Sequence, residues 1–187
     1  MFKARLTISL FGYTILVYLF YLAVSNLYTP SKTFHLPVLL WLTHLFILYI
    51  HEAGHFFFRI FGQTMYVMGG SLFQVIVPIV WFFVAKREGS PLSNVALFFT
   101  GISTMDVSIY MKDAEMRMLP LIGGLSKAHH DWGTLFVHWH AIDFAYPMGE
   151  FIFWVGCILS VAGLVFGVRN SITEYRAARR DAQKELP

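Results

Sequence analysis

The sequence predicts an all-α fold, a polytopic membrane bundle of four to five apolar helical segments, and three observations predict it. Hydrophobic residues fill 57% of the 187 positions and charged residues only 13%, against roughly 25% charged in a soluble domain. The apolar residues gather in runs at 6–24, 36–60, 72–85, 92–111 and 148–168, most of them close to the roughly 20 residues that a span requires. The single cysteine, Cys157, lies inside one of these runs, which excludes an intrachain disulfide framework and a cysteine-rich metal site. Residues 1–187 therefore read as one membrane domain, without internal repeats or low-complexity segments.

The first run follows Lys3 and Arg5. It is longer than the 7–15-residue apolar core of a signal peptide, so an uncleaved first span is expected. A polar link with Asn26, Pro30, Ser31 and Lys32 leads to the second run, which contains His51-Glu52-Ala53-Gly54-His55. Gly62 and the Gly69-Gly70 pair then interrupt the pattern as turn residues do. The third run is short for a span and has Pro78 at its middle. It is either a tilted helix or a re-entrant hairpin held against the others.

The fourth run carries Asp106 near its end. After it comes the one long polar stretch, 112–146, with Gly123-Gly124 and His129-His130-Asp131-Trp132. The last run is a clear span with Glu150 at its mouth, followed by a basic tail, 169–187, where Arg169, Arg176, Arg179, Arg180 and Lys184 alternate with Glu174, Asp181 and Glu185. A basic segment directly after a span reads as a cytoplasmic anchor. No aromatic or motif-like context accompanies the charge, which argues against a nucleic-acid partner. Both ends are basic, so both are expected on the cytoplasmic side, with an even number of crossings and the short third run as the element that does not cross.

The chemistry concentrates in the second run. Residues i and i+4 of a helix share a face, so His51 and His55 can bind one ion together, and Glu52 beside them can take a proton from water. That is the mechanical logic of H-E-x-x-H. The motif begins about 20 Å along its helix, within a hydrocarbon core about 30 Å thick. A carboxylate and two imidazoles at that depth are costly unless paired or metal-bound.

Two helical ligands require a third donor from elsewhere. Asp106, which shares a helical face with Tyr110 and Asp113, is one candidate. The other is the His129-His130-Asp131 cluster, which is either a solvated loop or a segment that folds back to offer a histidine, His130, with the neighbouring carboxylate as its partner. Asp113, amid Lys112, Glu115 and Arg117, reads as a residue of the water boundary. His44 shares the stripe of His51 but lies about 10 Å along the axis, too far for the same ion; it is second-line support, part of a cavity wall, or a hydrogen-bonded buried histidine. His35, and His138 and His140 around Trp139, read as interfacial. Gln74 either lines a cavity or bridges two helices. No phosphate-binding glycine loop, serine elbow or paired cysteine nucleophile is present.

An H-E-x-x-H inside an apolar helix, then a glycine-containing break and a later run with an aspartate, resembles the site-2-protease family of intramembrane zinc metalloproteases, over roughly residues 37–112. The resemblance implies zinc held by His51, His55 and Asp106, with Glu52 as the base. Here Val107 follows the aspartate where the family has glycine, and the His130-Asp131 pair is no part of that pattern. The expected activity is hydrolysis of a membrane-protein or lipid substrate by a zinc-activated water, with membrane lipids as the surroundings. Two alternatives stand beside it. One is a lipid-modifying metalloenzyme, a hydrolase or an iron-dependent oxygenase, although Ser126 stands where a histidine box would place a histidine. The other is a metalloprotease-like subunit without catalysis, for which an intact Glu52 is unnecessary.

Overall fold

The computed structural model describes residues 2–121, 124 and 126–184; Gly123 and Glu185, named above, lie outside them. The described residues form helices and turns without a strand: α1 (Phe2–Leu27), α2 (Val38–Phe58), α3 (Gln63–Arg87), α4 (Leu92–Lys112), α5 (Asp131–His138) and α6 (Ala145–Lys184). The all-α fold expected from composition is the one observed. Proline and glycine set the boundaries: Pro37 precedes α2, and Pro91 precedes α4. Gly62 adopts φ +95° between the 3-10 turn that ends α2 and the start of α3, a conformation that a side chain resists.

The third run departs from expectation. It belongs to α3, which begins at Gln63 and is 25 residues long, about 37 Å, with Pro78 inside it. Gly69 and Gly70 are not turn residues but lie within this helix. Their role is close approach: a Cβ on Gly54 would stand 2.3 Å from the Gly69 carbonyl oxygen, so only glycines allow α2 and α3 to cross there. The polar start of the helix, Gln63 to Ser71, hides its length from a hydropathy reading.

Among the described residues, four helices are long and apolar enough to cross a membrane: Ala4–Leu27, α3, α4 and the segment Ile142–Lys184 that includes α6. This is compatible with a multi-pass membrane protein. α2 falls outside that set because His44, His51, Glu52 and His55 interrupt its apolar face. Residues 72–85, expected not to cross, lie inside α3, a helix long and apolar enough to span. The tail continues as helix to Lys184, making α6 40 residues long.

α4 is the central helix, buried along most of its length, and its most extensive contact is with α6. Gly149, Gly156 and Gly163 recur every seven residues on α6. A Cβ on Gly156 would meet the Gly101 carbonyl oxygen at 2.7 Å, and one on Gly163 the Phe98 nitrogen at 2.6 Å. The hydroxyls of Thr100, Thr104 and Ser108 donate to carbonyls of their own helix, so this polar stripe is satisfied in place. Large apolar side chains such as Phe11, Phe46, Phe83 and Phe151 face outward, as a lipid-facing surface does.

The polar stretch after α4 folds back onto the bundle. Asp113, read from sequence as a water-boundary residue, is fully buried. Its two oxygens accept from the backbone N–H groups of Met118 and Leu119, both at 2.8 Å. His130 is the N-cap of α5, its Nδ1 accepting from the Gly133 N–H at 3.0 Å. Trp132 Nε1 donates to Ser71 Oγ of α3 at 3.0 Å. These three anchors hold the first residue of α5 against α2 and α3.

Candidate metal centre

His51 and His55 lie one turn apart on α2, as their spacing requires, and their Nε2 atoms are 3.1 Å apart. The structure brings Asp131 to them, with Oδ2 3.0 Å from His51 Nε2 and 3.2 Å from His55 Nε2. The three atoms form a nearly equilateral triangle. Two donors each 2.0–2.1 Å from a tetrahedral zinc are about 3.3 Å apart, so the triangle has the dimensions of one face of such a site. Among the described residues, this is the group of histidine and acidic side chains that can hold a metal ion.

Hydrogen bonding fixes which ring nitrogens are free. His55 Nδ1 donates to the Tyr66 carbonyl oxygen at 2.7 Å, and His51 Nδ1 donates to Gln74 Oε1 at 2.7 Å. A neutral imidazole that gives its proton at Nδ1 carries a lone pair at Nε2. Two ring nitrogens and a carboxylate oxygen thus converge at 3.0–3.2 Å, a set that accepts a metal ion or, in its absence, a proton. Such an arrangement calls for a positive centre. Donation of the second ring N–H to a carbonyl is also how metal-binding histidines are held. Burial opposes the charge on Asp131, but its bonds from His51 and His55 outweigh burial and hold the carboxyl below the usual carboxylate range.

The centre opens on a cavity of about 480 Å³. Glu52 lines it beside His51, His55 and Asp131, with Trp41, Leu45 and Leu48 among the apolar wall residues. Glu52 is exposed and also borders a shallower pocket with His55 and Arg59.

Neither residue expected as third donor joins His51 and His55 in the triangle. Asp106 is buried with its oxygens engaged elsewhere: Oδ1 accepts from His44 Nδ1 at 2.6 Å and Oδ2 from Gln74 Nε2 at 3.2 Å. It is joined to His51 through Gln74, one side chain removed from the triangle. His130 is turned away, with Nδ1 on the α5 backbone and Nε2 3.4 Å from Asp113 Oδ2. The neighbour read as its partner, Asp131, is the residue that meets the two histidines instead. As N-cap, His130 faces the helix it starts, and the first residue of that helix points into the cavity.

Gln74 performs both of the alternatives read for it, lining the cavity and bridging α2 to α4. His44 lines the same cavity. His35, His129, His138 and His140 are exposed and stand apart from the triangle. Comparison with protein-family models, with curated proteins and with solved structures gives no match.

Proposed function

We propose that this chain is a membrane-embedded, metal-dependent hydrolase in which His51, His55 and Asp131 hold zinc and Glu52 is the general base, with peptide-bond cleavage as the reaction. The observation that carries the reading is the triangle of three potential donor atoms with edges of 3.0–3.2 Å. Zinc bound there supplies a Lewis acid that brings the pKa of water towards about 7. Glu52 lies on the same turn of α2 as the ligands and lines the same cavity, placed to accept that proton. The apolar wall formed by Trp41, Leu45 and Leu48 suits an apolar substrate segment, held extended because a helix hides its amides. The likeness to site-2 proteases rests on the H-E-x-x-H element, and here the third donor comes from α5.

Metal analysis of detergent-purified protein tests this reading together with cleavage of fluorogenic transmembrane peptides. One zinc per chain is expected in wild type and in Glu52→Gln, and none in His55→Ala; only wild type cleaves. Metal-free wild type, or Glu52→Gln cleaving at the wild-type rate, overturns it. A second reading draws on the donor set, since two histidines and one carboxylate also form the facial triad of iron(II) oxygenases. Stoichiometric iron, with Glu52→Gln fully active on lipid, would select that reading.

A further inference from the structure

The two histidines of the triangle are held in different ways. His55 donates to a backbone carbonyl, which can only accept. His51 donates to the side-chain amide of Gln74, a group that can present its oxygen or its NH2. Turned over, Gln74 would offer N–H to His51, the ring would shift its proton to Nε2, and that proton would point into the triangle. Something must therefore hold the amide. The two protons of Gln74 Nε2 go to the Ser103 carbonyl oxygen at 3.1 Å and to Asp106 Oδ2 at 3.2 Å. Both partners are acceptors, so the reversed amide would set oxygen against oxygen at two places. Gln74 is 2% exposed and Asp106 4%, so water is in no position to relieve the mismatch. Behind Asp106 stands His44, whose Nδ1 donates to Oδ1 at 2.6 Å and whose ring stacks on Tyr110 at 6.3 Å.

We infer that Asp106, backed by His44, is a positioning residue of the centre: the pair locks the Gln74 amide so that His51 keeps its proton on Nδ1 and turns the Nε2 lone pair into the triangle. The line runs across three helices, from α2 to α4, back through α3, and again to α2. It gives Asp106 a role without ligation, and it gives the paired His44 a function although it lies too far along α2 to touch the ion. The consequence for affinity rests on the metal reading proposed above. The tautomer of His51 does not, because it belongs to the metal-free chain.

The test uses the full chain in detergent, stripped with a chelator and labelled with 15N-histidine, with His51 assigned against a His51→Ala sample. Wild type is expected to show His51 protonated at Nδ1 alone. In Asp106→Leu the amide is free to turn, and a mixture with the Nε2–H form is expected. His44→Phe, which keeps a ring against Tyr110, is the milder variant should the first not fold, and it is expected to move the same way. Zinc titration should show a loss of roughly 10–100-fold, the size typical of outer partners of a metal ligand, in Asp106→Leu and Gln74→Met. The inference is overturned if His51 remains wholly Nδ1–H in Asp106→Leu and His44→Phe. It is equally overturned if folded Gln74→Met binds zinc as wild type does. A wild type that takes up no zinc while its tautomer still responds would sink the metal reading and leave this one standing.

Discussion

A single methyl group at Gly70 offers a sharp test of the centre. Gly70 lies inside α3, where alanine is ordinarily favoured over glycine by about 1 kcal/mol. Yet a Cβ built there would stand 2.4 Å from His51 Nε2, 2.6 Å from Cε1 and 2.7 Å from Cδ2. Ordinary contact begins at 3.4 Å, so the ring has to withdraw by about 1 Å, whereas metal–ligand distances tolerate only about 0.2 Å. The displaced group is the far end of a side chain, so folding loses little. The ligand atom itself is what moves. Gly70→Ala is therefore expected to unfold within a few degrees of wild type while zinc binding and peptide cleavage fall on the order of 100-fold, the loss that a 1 Å misplacement brings. Competition titration against a zinc chelator, run beside thermal unfolding, separates the two effects. Gly12→Ala is the control, since its Cβ would meet nothing within 4 Å. A folded Gly70→Ala with wild-type zinc affinity would refute the placement of His51 against α3.

Two further outcomes follow from the same geometry. Gly101→Ala places its Cβ 2.4 Å from the Gly156 carbonyl oxygen and 2.5 Å from the Ser160 nitrogen, backbone atoms that cannot swing aside. It should destabilise the bundle by about 1–3 kcal/mol, seen as a lower unfolding temperature in detergent, with the α4–α6 crossing rather than the metal centre as the cause. Asp131 gives a pH signature in metal-free protein. Its folded pKa is depressed, so its contribution to stability is present above the unfolded value of about 3.9. That contribution is lost as pH falls through the folded value. The stability gap between wild type and Asp131→Asn should accordingly be full at pH 5–7 and close in the acid range. A gap that widens on acidification would contradict the depressed carboxyl.

Much of this molecule is legible in local pattern. Composition and the apolar runs are enough for an all-α bundle, because a helix satisfies its own backbone and its length follows from the residues in the run. The i, i+4 spacing is enough to place His51 and His55 on one face with Glu52 beside them, because helical geometry repeats every 3.6 residues whatever surrounds it. Pattern fails where polar or small residues serve packing. Gly69 and Gly70 read as a break, yet they are what a close crossing with α2 demands. The third donor is a question of another kind. Asp106 and Asp131 are both aspartates in plausible settings, and Asp131 lies 80 residues from His51. No periodicity links positions so far apart. Their meeting depends on the glycine-lined approach of α2 to α3, on Asp113 and His130 fixing the returning chain, and on Trp132 tying it to Ser71. The same packing places Asp106 behind Gln74, one side chain removed from the triangle. Short-range spacing decides which groups share a face, and the closing of long loops onto a packed core decides which groups meet in one triangle.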